Sequence, residues 1–209
     1  MSSRDWFRNT NWNAAIAAEF ERRLKRSRTQ KAEYLRIQAS CLVKTHPNVA
    51  LDLSARFLAL PKPYLVAVIL NTRARALVVL GRVNEAISTY EAVLDGEKKE
   101  VGAGLTDAYL DYAELILTKQ LTHGFERARA ALHERADRPT FPVQHFRYHS
   151  LLALLAASQK LSAEARLNAR AALEAASQGK SGFRHHPKLG LVGEGEVEAL
   201  RRLRELCDA

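Results

Sequence analysis

Two stretches of the chain share one spacing of small residues, and that spacing restricts the fold more than any other feature. Leu70 to Leu94 reads LNTRARALVVLGRVNEAISTYEAVL, two amphipathic segments that meet at Gly81. Within it Ala74, Gly81, Ala86, Tyr90 and Val93 stand seven, five, four and three residues apart. Ala153, Lys160, Ala165, Ala169 and Ala172 repeat those offsets, each 79 positions later. Residues three and four apart share one face of a helix, and small side chains on that face let the ridges of a partner helix settle into the groove beside them. Each stretch therefore predicts a helix hairpin with a tight turn. Lys160 stands where the first hairpin has glycine, the residue that most easily takes the left-handed backbone of a helix end.

The remaining segments also carry a helical period. From Asn11 to Arg28, Trp12, Ile16, Phe20 and Leu24 recur every four residues and line one face. A second helix is expected from Thr29 to Lys44, ended by Thr45-His46-Pro47, and a third from Val49 to Leu60 behind an Asn48 cap, stopped by Pro61-Lys62-Pro63. Asp95 to Gly104, DGEKKEVGAG, has the composition of an exposed linker. A helix from Thr106 or Asp107 to Leu121 then turns at His123-Gly124 into a partner reaching Ala136. Gln178 to Gly195 reads as a glycine-rich basic loop, and Glu196 to Cys207 as a closing amphipathic helix. No segment alternates with a period of two, so the prediction is an all-α fold of about ten helices.

The Leu70 to Leu94 unit resembles a tetratricopeptide repeat, a helix pair of about 34 residues. The well-matched part is two such units, about a third of the chain. The resemblance implies an α-solenoid, a right-handed superhelix of antiparallel helix pairs, spanning 1–209 as a single domain. In that arrangement 1–28 holds an N-terminal capping helix, 29–177 four helix pairs, 178–195 the basic loop and 196–207 a C-terminal cap. The 79-residue offset exceeds two periods of about 34, which requires a longer linker or longer helices in the unit between.

Such arrays typically hold a peptide or a partner helix on the concave face built by the first helix of each pair, and the resemblance implies that use here. Arg36, Asn71, Arg75 and Arg147 fall on or near that face, where the arginines would suit an acidic protein or peptide through two-pronged bonds to carboxylates. The lysine and asparagine clamp of chaperone-binding members is not reproduced by Asn71 and Arg75. In the glycine-rich loop, Arg184, His185 and His186 are candidate contact residues; alternatively the loop folds back as an internal plug anchored by Phe183 and Leu189. Trp6, Phe7 and Trp12 near the start suit a cap over the open end of an array, or an exposed anchor for a partner.

Charge offers a second reading. Of the net charge of +9, residues 1–46 supply +6, with ten lysines and arginines against four acidic residues. Arg22, Arg23, Lys25, Arg26, Arg28 and Lys31 crowd into ten positions and could neutralise nucleic-acid phosphates. Stacking on bases needs exposed aromatics, and the neighbours Phe20 and Tyr34 lie on apolar faces, so an acidic protein partner is preferred. His145 and His149 are one turn apart but lack a third ligand, and the glycines form no phosphate-binding motif. The expectation is a non-enzymatic scaffold without catalytic residues, metal or cofactor. Cys41 and Cys207 read as packed thiols of a reducing compartment, and no stretch is long and apolar enough to span a membrane. The first residues lack the apolar run of a secretory signal, so a cytoplasmic location is expected.

Overall fold

The computed structural model describes residues 5–61, 64–99 and 105–208. Lys62 and Pro63, expected to stop a helix, and 100–104 of the expected linker lie outside the described residues. Those described form ten α-helices and no strand. They are α1 (Ala14–Arg26), α2 (Lys31–Leu42), α3 (Pro47–Leu58), α4 (Val66–Val79), α5 (Val83–Lys99), α6 (Ala108–Thr118), α7 (Phe125–His133), α8 (Pro142–Ser158), α9 (Ser162–Ser177) and α10 (Val197–Asp208). Asp95 to Lys99 continue α5, so the linker composition begins inside a helix. Pro47 opens α3 at its first position, where its missing N–H costs nothing, instead of Asn48 capping it.

The chain divides into two units, Met1–Ala108 and Tyr109–Ala209. In the first, α2 packs on α3, α3 on α4 and α4 on α5, while α2 also reaches α4. Ala39, Ala50, Ala74 and Ala86 are fully buried at these crossings. α1 is capped by Asn13, whose Oδ1 accepts the Ile16 N–H at 2.9 Å, and it buries Phe20 and Leu24. Trp6 packs against Phe7, Phe20 and Tyr34, and Trp12 against Phe20. Trp6, Phe7 and Trp12 thus lie half-buried over α1 and α2.

A buried amide fixes that cover in place. The Gln38 side chain, fully buried, accepts the Asn9 backbone N–H at 3.1 Å and donates to the Asn9 carbonyl at 2.7 Å. It serves the incoming strand of chain as a neighbouring backbone would. Asn9 Nδ2 adds bonds to Gln38 Oε1 and to the Trp6 carbonyl.

In the second unit α8 packs on α7, α9 and α10, and α9 on α10. Its core joins Phe146 and Ala153 of α8, Ala169, Ala172 and Ala175 of α9, and Leu203 of α10.

Three hairpins close with the same turn. Gly81, Gln120 and Lys160 all have positive φ, at 72°, 51° and 61°. Each donates its N–H to the carbonyl three residues back (Val78, Leu117, Ala157), and the next N–H reaches five residues back (Leu77, Ile116, Ala156). This is the Schellman helix end. The middle turn therefore sits at Gln120 and not at His123-Gly124, which forms a short 3-10 segment leading into α7. The three turns are 39 and 40 residues apart, so the 79-residue offset is two nearly equal units. Lys160, the departure at the turn, takes the glycine conformation at a cost of about 1–2 kcal/mol for a side-chain-bearing residue. Lys160→Gly is expected to stabilise the protein by about 0.5–1 kcal/mol, the strain relief exceeding the added unfolded-state entropy. Gly81→Ala, with open space around the new Cβ, is expected to destabilise by about the same amount. Chemical denaturation of both variants checks the pair.

Candidate partner-binding groove

The second unit carries a groove of about 1040 Å³. Its floor is the face of α8 bearing Arg147, Ser150, Leu151, Leu154 and Ala157. Glu114, Leu117 and Thr118 of α6 form one wall, continued by Gln120, Thr122 and Phe125. Ala199, Arg202, Glu205 and Leu206 of α10, with Glu196 before it, form the other. Residues 147, 150, 151, 154, 157 and 158 recur at helical spacing, so one face of α8 lines the groove. One side meets α9 through Ala153 and the other faces the groove.

Arg147 is tied into the wall. Its Nη2 donates to Asp111 Oδ1 at 2.8 Å and to Glu114 Oε2 at 2.6 Å. Burial opposes its charge, yet the bonds to Asp111 and then Glu114 hold its pKa above the ordinary arginine value. Ser150, one turn further along, is 8% exposed, and its Oγ has no hydrogen-bond partner among the described residues. A buried hydroxyl left unpaired in a groove is a position where a ligand atom would be rewarded.

The other expected contact residues are distributed differently. Arg36 spends its fork on Glu33 of the same helix, Nη2 to Oε1 at 2.6 Å and Nε to Oε2 at 3.1 Å, and this bond from Arg36 lowers the Glu33 pKa. Asn71 is half-buried, its Oδ1 without a hydrogen-bond partner among the described residues, and Arg75 is exposed on α4. These three belong to the first unit and Arg147 to the second. In the basic cluster, Arg22 and Arg23 hold Glu19, whose pKa falls to about 2 through their hydrogen bonds, Arg22 first. Lys25 and Arg26, exposed in the last turn of α1, sit where the helix dipole favours cations, and Arg28 and Lys31 are exposed beyond it. The aromatics near this cluster are engaged with one another and with α1 and α2.

The glycine-rich loop is docked on the start of α8. Phe183 stacks on Phe141 at 5.1 Å between ring centres, and the Gly190 carbonyl accepts the Val143 N–H at 2.8 Å, satisfying one of the free donors of the α8 N-terminus. Gly190 has φ 70°, and a Cβ there would meet the Phe141 side chain at 2.5 Å. Phe183 remains 42% exposed and Leu189 about half exposed, and among the described residues of 178–195 none lines the groove. Arg184, His185 and His186 are exposed on the loop. His149 Nδ1 lies 3.1 Å from Asn168 Oδ1, and no group of three or more potential metal ligands occurs among the described residues. Nor is any helix among them long and apolar enough to cross a membrane.

The sequence expectation set Arg147 on or near a concave face and gave no sign of the wall that α10 forms. Val197, Leu200, Leu203 and Leu206 were legible as one side of an amphipathic closing helix, but not which helix that side would meet, and Val197 stays 69% exposed. Comparison of the chain with protein-family models, with curated proteins and with solved structures gives no match to any of them.

Proposed function

We propose that this chain is a tetratricopeptide-like helical repeat protein, a right-handed superhelix of helix pairs, that acts as a non-enzymatic scaffold. In this reading a segment of a partner protein lies in the groove of the second unit. The observation that carries it is the identity of the groove's walls. α6 and α8 are the first helices of successive hairpins and α10 follows in the same order, so the three are the helices that would face inward in such an array. The passage of α8 contacts across to α10, and of α2 across to α4, also supports that order. The basic stretch of α1 is a poorer base for a nucleic-acid role, because its neighbouring aromatics are already packed.

Leu154 lies at the middle of the groove floor and is half-buried, so Leu154→Asp places a charge in the apolar seat with little cost to the fold. A partner captured by the protein and then re-tested in purified form is expected to lose affinity about tenfold or more, roughly 1.4 kcal/mol. Leu167→Asp, on the exposed face of α9 with Leu167 at 70% exposure, should bind as the parent does. Equal binding by the parent and the Leu154→Asp protein would refute the groove as the site.

A further inference from the structure

We infer that the occupant of this groove is an amphipathic helix with lysine or arginine along its flanks and a neutral hydrogen-bonding residue at its centre. The inference rests on the reading of the groove as a partner site and names the chemistry of that partner. The floor and most of the walls are helix faces, whose interior backbone groups are already bonded internally. They offer no edge to which an extended strand could add, whereas a helix arrives with its own backbone satisfied. A helix about 10 Å wide fills 1040 Å³ over roughly 13 Å, two to three turns. Its apolar stripe would meet Leu117, Leu151, Leu154 and Leu206.

Charge then selects the flanks. The walls carry Glu114, Glu196 and Glu205 against Arg147 and Arg202. Arg147 is already shared between two carboxylates, Asp111 and Glu114, and Arg201 on the outer side of α10 is shared between Glu198 and Glu205. Among the lining residues, three carboxylates stand against two guanidinium groups. The groove is therefore locally acidic, although the chain as a whole is +9. A carboxylate brought to Arg147 would have to compete with Asp111 and Glu114, which already accept from its Nη2. A neutral acceptor would not be repelled, and the Nε and Nη1 of Arg147, which hold no other partner among the described residues, can donate to it beside the Ser150 hydroxyl. Lysines on the flanks would face Glu114 on one wall and Glu205 on the other.

A displayed library of 18-residue helical peptides tests this with the full chain as bait. The peptides keep a leucine stripe, vary the flanks among Lys, Glu, Ser and Gln, and vary one central position between Gln, Leu and Glu. Selection is expected to enrich Lys over Glu at the flanks and Gln over Glu at the centre, each by tenfold or more, and to enrich nothing on the Leu154→Asp protein. Equal enrichment of Glu and Lys, or preference for Glu, would overturn the charge inference while leaving the groove as a binding site. Failure to enrich any peptide over the Leu154→Asp protein would overturn the groove reading itself.

Discussion

Gln38→Leu is expected to cost the first unit about 2–5 kcal/mol, because it leaves the Asn9 backbone N–H and carbonyl without the buried partners that serve them now. Leucine fills the space of the lost amide, so the loss is one of polar pairing and not of volume. The chain has two ways to respond. It can bury two orphaned groups, or it can lift residues 5–12 away and expose the cluster of Trp6, Phe7, Phe20 and Tyr34. Both are expensive against a domain stability of about 5–15 kcal/mol. For a unit of this size a loss of that order lowers Tm by roughly 10–20 °C. Asn9→Ala should be far milder, about 1 kcal/mol, since the Gln38 amide keeps both backbone bonds and only the Nδ2 contacts disappear. The only two tryptophans, Trp6 and Trp12, lie in this segment, so their fluorescence reports on it directly. A red-shifted emission and an early transition are expected for Gln38→Leu, with neither for Asn9→Ala.

Ala153→Leu is the second large effect, at about 3 kcal/mol destabilising. Ala153 is fully buried where α8 crosses α9, in the cluster with Ala169 and Ala172. The crossing is close because both helices present methyl groups there, and three added carbons have no void to enter. Helices forced apart at this point would also loosen Phe146 and Leu203, which share the cluster. Ala157→Leu on the same helix points to the groove and is half-buried, so it should change stability by less than about 0.5 kcal/mol. Urea denaturation of the two variants separates a crossing residue from a groove residue on one helix.

The crossings were legible in the sequence because they depend on local periodicity. Ala74, Ala86, Tyr90, Val93, Ala153, Ala165, Ala169 and Ala172 are all at 2% exposure or below, as the repeated offsets required. The Arg36–Glu33 pair follows from adjacency on one helix face. The turn at Gln120 was not legible, since nothing in a glutamine signals a left-handed backbone and a nearby glycine drew the expectation to Gly124. What fixes Gln120 is the helix end itself, where the Leu121 N–H closes on Ile116. The groove was legible only by halves. Arg147 meets Asp111 across 36 positions, and α10 reaches α8 after the chain has passed through α9 and the loop. Long-range pairing of this kind is set by how amphipathic faces stack, which residue spacing within one segment does not encode.

Methyl NMR on the leucines most directly tests whether α6, α8 and α10 form the partner site. Titration of the full chain with a peptide selected by it is predicted to shift the methyl signals of Leu117, Leu151, Leu154 and Leu206, the apolar lining of the groove, while Leu167 on α9 stays in place. Shifts at Leu167 or Leu189 with the four groove leucines unmoved would contradict it.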